Sequence, residues 1–274
     1  MAETKAPDFE TLKVERKGAV EWLTLNRPDN LNALNPTMVE ELYAYFLGLQ
    51  KRIDVRIIVL KGAGRAFCAG LDLKKKGEAD DAGEGNSVQA GLKTQRDIAN
   101  IVMAMRKCPQ PIISLIQGPA CGGGFSLALA SDIRIAADNA RFNCAYIRIG
   151  LGGCDIGSSY FLPRLVGASL ATELILTGKF ISAERALNLG LVAQVVQEDQ
   201  LEAAAQEDLD LMLTTSPLGL RLSKEALNMN IDAGGMEAAI AMEDRNQILI
   251  SQTSDFKEGV AAFLQKRPPN WGDG

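Results

Sequence analysis

Two short glycine-containing segments are the first places where this sequence of 274 residues could do chemistry. One runs from Arg65 to Leu73 around Gly70, and the other runs from Gln117 to Gly124 and ends in three consecutive glycines. Glycine lets a backbone N–H approach a ligand closely, and the start of a helix adds the positive end of its dipole. Either segment alone could be a tight turn. Two N–H groups aimed at one point would form an oxyanion hole, which stabilises a carbonyl oxygen that gains charge.

The composition excludes several other kinds of chemistry. The sequence contains no histidine, which rules out Ser-His-Asp and Cys-His catalysis, histidine-ligated zinc and histidine proton shuttles. The net charge is −5 and the pI is about 5.0, so a nucleic-acid partner is not expected. The five cysteines show no CxxC spacing, and we interpret them as reduced thiols of a cytoplasmic protein. No metal site is expected, because the sequence has no histidine. No membrane partner is expected, because the apolar stretches are too short to span a bilayer.

The segments that must position the two glycine segments alternate between strands and helices, and the last third is helical. Asn35-Pro36 predicts a helix N-cap followed by proline at the first helical position. The charged, glycine-rich stretch from Lys74 to Gly91 predicts a mobile surface loop. Alternation and β-branched runs predict strands at Val20–Leu25, Val55–Lys61, Ile112–Ile116 and Ile133–Ala136; helical spacing predicts helices at Gln95–Met105, Phe125–Ala130, Ala183–Leu189, Leu201–Leu213, Leu218–Asn228, Met236–Ser251 and Phe256–Gln265.

Together these segments resemble the crotonase superfamily, also called the enoyl-CoA hydratase/isomerase family, from about Val20 to Trp271. Phe67 to Leu73 is similar to the family's FxAGxDL segment. Gly118 to Gly124, followed by Ala130 to Arg134, resembles the family's glycine-rich helix entrance. Further similar segments are Asn26-Arg27-Pro28, Asn32 to Asn35, Thr177 to Lys179, Ala183 to Ala186, and Gly190 to Val192.

The resemblance implies an α/β fold built as a spiral of ββα units. Residues 1–200 would form this spiral core, and residues 201–274 would form a helical region that assembles subunits into a trimer or a pair of trimers. It also implies an acyl-CoA thioester as the substrate. No metal or redox cofactor is expected, since coenzyme A enters as part of the substrate and proton transfer needs neither.

The resemblance also assigns roles to residues of the two glycine segments. The backbone N–H groups of Leu71 and Gly123 would hold the thioester carbonyl and stabilise the enolate that forms when a proton leaves the neighbouring carbon. Lys266, with Arg267 beside it, would contact the CoA phosphates across a subunit boundary, or would belong to a solvated tail. The path of CoA would be lined by Ala69, Gly70, Leu71, Asp72 and Leu73.

Two departures from the family pattern bear directly on the reaction. The hydratases of this family place two glutamates around the substrate, and those positions fall on Ser126 and Tyr146 here. An alcohol or phenol near its normal pKa is not a general base at neutral pH without a partner. The two-glutamate mechanism of hydration therefore does not transfer, although either hydroxyl could orient a water or donate a hydrogen bond, or could only pack.

Asp155 is the acid that remains in the region of the substrate. Isomerases of the family carry a catalytic aspartate in a similar Asp-x-Gly segment, although the stretch from Gly150 to Asp155 is one residue longer here. A carboxylate beside the acyl chain can take a proton from one carbon and return it to another. The alternative is that Asp155 caps a helix starting near Gly157.

The sequence therefore predicts an enzyme that isomerises an unsaturated acyl-CoA with Asp155 as acid and base. One alternative is a hydratase, or a hydrolase or lyase, in which Asp155 activates water. An alternative of another class is a protein that binds acyl-CoA without chemistry, which the loss of both glutamates favours and the two intact glycine segments oppose.

Overall fold

The computed structural model describes residues 8–73 and 88–272. Within these ranges the strands are β1 Leu12–Lys17, β2 Val20–Leu25, β3 Ile57–Gly62, β4 Ile112–Ile116, β5 Pro119–Cys121, β6 Ile133–Ala137, β7 Arg141–Asn143, β8 Ile181–Ser182 and β9 Gln194–Val196. The helices are α1 Pro36–Gly48, α2 Val88–Lys107, α3 Gly123–Ala130, α4 Ser158–Val166, α5 Ala168–Thr177, α6 Ala183–Asn188, α7 Leu201–Leu213, α8 Pro217–Asn230, α9 Met236–Ser251 and α10 Ser254–Gln265. No helix in the described part of the chain is both long and apolar enough to cross a membrane.

The larger sheet has six strands in the order β1-β2-β3-β4-β6-β9. Its strands from β2 onward run parallel, and only β1 runs antiparallel to its neighbour. Side chains alternate between the two faces of this sheet, so Ile58 and Leu60 join one core cluster while Ile57 and Val59 join another. Both faces are therefore buried, as expected of a parallel sheet covered by helices.

The chain builds these layers as successive turns of a spiral. After β4 in the large sheet it adds β5 to a three-stranded sheet of order β5-β7-β8 and continues into α3. The next turn adds β6 to the large sheet and β7 to the small one before α4. Earlier in the chain, Cys68 forms a bridge to Ala120 of β5, so the stretch after β3 also joins the small sheet. Each turn thus contributes to both sheets and then to the helical layer.

The C-terminal helices are attached to this core by packing and by one buried lysine. Leu201, Ala205 and Leu209 of α7 pack on the second face of the large sheet. On α8, Lys224 is only 5% exposed, and its Nζ lies 2.8 Å from Asp132 Oδ2. The same ammonium group donates to the carbonyl oxygen of Gln110 at 2.7 Å. These contacts compensate the charge and fix α8 against the core.

The structure confirms the elements with strong periodicity and corrects several others. β4, α7 and α9 begin and end where the sequence predicts, and the Asn35 side chain caps α1 by accepting from the N–H of Met38 at 3.0 Å. Helix α2 begins at Val88, seven residues before the predicted start, so the end of the predicted loop is helical; residues 74–87 lie outside the described residues. No element was predicted for β1, β5, β7, β8, β9 or α5, and for α4 only a start near Gly157 was considered.

Candidate active site

The bridge between Cys68 and Ala120 sets the two glycine segments side by side. The Cys68 N–H donates to the carbonyl of Pro119 at 3.2 Å, and the Cys121 N–H donates to the carbonyl of Cys68 at 2.9 Å. This pairing is parallel, so both stretches of chain leave the small sheet in the same direction. Leu71 lies three residues beyond Cys68 and Gly123 lies three beyond Ala120, which brings the two predicted N–H donors to neighbouring positions.

In the first segment, the N–H of Leu71 points away from Leu34, the residue that is hydrogen-bonded to both neighbours of Leu71. The Leu34 N–H donates to the carbonyl of Gly70 at 2.7 Å, and the Asp72 N–H donates to the carbonyl of Leu34 at 3.1 Å. Successive N–H groups of an extended chain point to opposite sides. The N–H of Leu71 therefore points away from Leu34, and it donates to no protein acceptor within residues 8–73 and 88–272.

Two polar side chains of the Asn-rich stretch before α1 hold the first segment in place. Asn32 is fully buried, and its Nδ2 donates to the carbonyls of Ala66 at 2.9 Å and Phe67 at 3.2 Å. The guanidinium of Arg27 forms an ion pair with Asp72 at 2.9 Å, with the side chains only 13% and 7% exposed. Asp72 thus fixes the segment that carries Leu71.

The second segment presents the N–H of Gly123 at the start of α3. The first N–H groups of a helix lack acceptors within the helix and carry the positive end of its dipole. The two segments approach closely, since a side-chain carbon at Gly70 would lie 3.4 Å from the nitrogen of Gly123 and 2.8 Å from the carbonyl oxygen of Cys121. Gly70 also has a φ of +94°, which L side chains rarely adopt. Only glycine fits there.

Ser126 and Tyr146 form a buried pair of hydroxyls next to these donors. Ser126 Oγ lies 2.7 Å from Tyr146 Oη, and the two residues are 0% and 3% exposed. Burial raises the pKa of the Tyr146 phenol well above its usual value, and the charge of Asp155 raises it further. Tyr146 is therefore neutral at physiological pH, and the pair can donate and accept hydrogen bonds without acting as a base.

Asp155 lies beside the hydroxyl pair in the coil that precedes α4. Its backbone carbonyl is 3.5 Å from Ser126 Oγ, and its half-buried carboxylate accepts the N–H of Ile156 at 2.8 Å through Oδ1. The side-chain amide of Gln95 donates to the same oxygen. Asp155, Ser126 and Tyr146 therefore meet at one place, despite the longer segment before Asp155.

The helix-cap alternative for Asp155 does not agree with the geometry. The N-cap of α4 is Gly157, and no side chain caps this helix. Ile156, between them, has a φ of +44°, which is rare for a β-branched residue. Its Cδ1 would lie 3.4 Å from a side-chain carbon at Gly123, so the strained turn packs directly against the second donor. Strain of this kind is often found at functional sites.

The remaining predicted site residues are placed less decisively. Ala69 and Leu73 lie on the first segment, and the side chain of Leu73 is exposed. Lys266 ends α10 on the surface, and no hydrogen bond or ion pair joins it to the two glycine segments within the described residues. Its neighbour Arg267 forms a bidentate ion pair with Glu258 at 2.6 and 2.9 Å. Burial raises the pKa of the Cys68 thiol to about 12, so no thiolate nucleophile forms there.

Sequence analysis missed Gln95 as a residue of this site. The signal was its position on the apolar face of α2, three residues before the buried Ile98.

A cavity of about 770 Å³ lies at the opposite end of α3 from the glycine segments. Leu129 and Arg134 contribute to its wall.

Comparison with known proteins places the chain in a family. A family model described as "Enoyl-CoA hydratase/isomerase" matches residues 15–274. The chain belongs to the enoyl-CoA hydratase/isomerase family. Its members act on acyl-CoA thioesters, and this member is an enzyme of that type by relationship.

Some relatives of this family member are named as hydratases, and another is named as an isomerase. It is 36% identical over 252 residues to the Mycobacterium tuberculosis protein named "Probable enoyl-CoA hydratase EchA12", covering 92% of this chain and 88% of that one. It is also 36% identical over 249 residues to "1,2-epoxyphenylacetyl-CoA isomerase" of Escherichia coli, covering 91% and 93%. The crystal structure of enoyl-CoA hydratase from Bacillus anthracis superposes with a TM-score of 0.90 at 32% identity, covering 97% and 100%. The predicted crotonase fold is confirmed.

Proposed function

We propose that this enzyme moves a double bond within an unsaturated acyl-CoA through a thioester enolate. The observation that carries the proposal is that Asp155 lies beside two neutral hydroxyls, Ser126 and Tyr146, at the positions where hydratases of the family have two glutamates. One carboxylate is enough for a reaction that takes one proton and returns one proton. The identity of 36% with a relative named as an isomerase supports this choice.

The proposed mechanism removes one proton and returns one proton, with no net change of oxidation state. The carboxylate of Asp155 takes a proton from a carbon of the acyl chain, and the C–H electron pair moves through the chain to the thioester oxygen. The N–H groups of Leu71 and Gly123 stabilise the negative charge on that oxygen. Asp155 then returns the proton to a different carbon, and the double bond has moved. We propose that no metal or redox cofactor takes part, because proton transfer between a carboxylate and carbon needs neither.

A hydratase in which Asp155 activates water is the second candidate, favoured by the hydratase names of several relatives. Incubation of a 3-enoyl-CoA in deuterated water, followed by mass spectrometry and NMR, separates the possibilities. An isomerase yields an enoyl-CoA with a shifted double bond and deuterium at the α- or γ-carbon. A hydratase yields a hydroxyacyl-CoA heavier by one water. A protein that only binds acyl-CoA yields neither product and no exchange, which would refute the proposal.

Hydration of a simple crotonyl-type thioester should be slow. General acid–base help contributes about 10²–10⁴ for each proton transfer, and Ser126 and Tyr146 are not bases. Steady-state assays of crotonyl-CoA hydration should therefore give a turnover well below about 10² s⁻¹, the range of efficient enzymes. A turnover at or above that value would mean that another residue has replaced the two glutamates.

We propose that the protein assembles through its C-terminal helices into a trimer or a pair of trimers. No residue of α9 is buried, and apolar side chains of α9 and α10 such as Met236, Phe263 and Leu264 are 76%, 83% and 74% exposed. Covering such side chains removes apolar surface from water. Sedimentation equilibrium at micromolar concentration should give a mass at least three times 29.4 kDa, and Phe263→Lys should lower it. A monomer in the unmodified protein would contradict the proposal.

A further inference from the structure

The side chain of Gln95 joins α2 to the carboxylate of Asp155 across 60 residues of sequence. Its Nε2 donates to Oδ1, the oxygen that also accepts the N–H of Ile156 at 2.8 Å. The backbone of α2 cannot shift easily here, because Ile98 and Val102 of the same helix are buried in the core. Gln95 is thus a donor to the carboxylate of Asp155 from a helix that the core holds in place.

Two donors on one carboxylate oxygen have a chemical consequence. A proton on Oδ1 would displace one of the two N–H hydrogen bonds, so protonation at Oδ1 costs the loss of that hydrogen bond. The donors also favour the charged carboxylate over the neutral acid. A glutamine amide stabilises the carboxylate without carrying a charge. A cation at the same position would also attract the negative charge of the substrate enolate.

We propose that Gln95 is the positioning residue of Asp155, holding the carboxylate through Oδ1 in the orientation from which it exchanges a proton with the acyl chain. This inference rests on the proposed function of Asp155 as acid and base. Gln95 acts through Asp155 and touches no reacting atom.

Several titratable or charged groups lie on the described elements around Asp155. Burial keeps the Tyr146 phenol neutral, and burial raises the pKa of the Cys144 thiol to about 12. The remaining titratable or charged groups within the described part of the surrounding elements are Cys154 next to Asp155, Lys93, Arg96, Asp97, Arg106 and Lys107 on α2, Arg148 on the turn that carries Tyr146, and Tyr160 and Arg164 on α4. Of these, Lys93 pairs with Asp97 at 2.9 Å and Arg164 pairs with Asp232 at 2.8 Å.

A graded series of variants at Gln95 tests the inference through the pH dependence of deuterium exchange into the acyl chain. Gln95→Leu removes the donor at similar size, Gln95→Glu replaces it with an anion, and Gln95→Lys replaces it with a cationic donor. The acid limb of the exchange rate should move to higher pH by about one unit in Gln95→Leu and further in Gln95→Glu, and to lower pH in Gln95→Lys. The plateau rate of Gln95→Leu should fall about tenfold or more, since the base loses its orientation.

Gln89→Leu on the exposed side of the same helix is the matched control and should leave rate and pH profile unchanged. If Gln95→Leu lowers the rate without moving the acid limb, Gln95 has only a structural role and the inference is wrong.

A second measurement separates this inference from the proposed function. NMR titration of protein labelled with ¹³C at aspartate Cγ follows Asp155 directly, and the signal is assigned by its absence in Asp155→Asn. Gln95→Leu should raise the midpoint of this titration by about one pH unit, whether or not the protein exchanges acyl protons. An unchanged midpoint would overturn the inference; a shifted midpoint without any acyl exchange would keep it and overturn the proposed function.

Discussion

Replacing Asp155 with asparagine should lower deuterium exchange at the acyl α- and γ-carbons by about 10²–10⁴, with acyl-CoA affinity unchanged within a few-fold. Asparagine keeps an oxygen that can accept the N–H groups of Ile156 and Gln95, but it cannot take up a proton. In the proposed mechanism, binding of the thioester rests on the N–H groups of Leu71 and Gly123, which the substitution leaves in place. Turnover, substrate affinity and exchange are measured on both proteins, together with the melting temperature.

Asp138→Asn is the matched control, since Asp138 lies exposed in the turn between β6 and β7. It should change neither exchange nor melting temperature. Exchange that persists at the original rate in Asp155→Asn would remove Asp155 from the mechanism. A large loss of stability in that variant would mean that Asp155 serves the fold, which the absence of a side-chain cap on α4 argues against.

Adding a single methyl group at Gly124 should lower the same exchange by about 10²–10³, as expected when an oxyanion-hole donor is lost. A side-chain carbon there would lie 2.1 Å from the carbonyl oxygen of Cys68 and 2.6 Å from its Cβ, far inside van der Waals contact. Helix α3 and the segment that carries Leu71 must therefore move apart in Gly124→Ala. The two N–H donors would no longer converge on one oxygen, and the overpacking should also cost about 1–3 kcal/mol of stability.

Gly48→Ala provides the control, because Gly48 is helical at the end of α1 and has no atom within 4 Å of the position of a side-chain carbon. This variant should be neutral or slightly more stable, since alanine restricts the unfolded chain. The exchange rate of Gly124→Ala is compared below its melting temperature, so that loss of folding is not counted as loss of catalysis. A normal exchange rate in folded Gly124→Ala would show that the two segments tolerate separation and would contradict the proposed oxyanion hole.

Local patterns in the sequence predict the elements that carry their own signal. Helix α1 was predictable because Asn35-Pro36 and the spacing from Met38 to Leu49 act within a few residues. The strands β5, β7 and β8 have two or three residues each, too few for any periodicity. The start of α2 at Val88 was missed, because Gly91 and polar neighbours hide the first two turns.

The site was predictable only as far as the resemblance extended. Leu71 and Gly123 become neighbours through the pairing of Cys68 with Ala120, which is a tertiary contact that no local pattern reports. The position of Asp155 depends on two successive residues with positive φ, Ile156 and Gly157, and a β-branched residue gives no sign of such a turn. Gln95 could be recognised as unusual on its helix face, but its partner could not be identified without the fold.

The register between Cys68 and Ala120 has an evolutionary consequence. The two proposed oxyanion donors are amides of the main chain, so nearly any side chain that fits at position 71 leaves the donors unchanged. In the proposed mechanism, the groups that decide the fate of the enolate are side chains, at positions 126, 146 and 155. Under that mechanism a few substitutions at these three positions would change the reaction, while activation of the thioester would be kept with the fold.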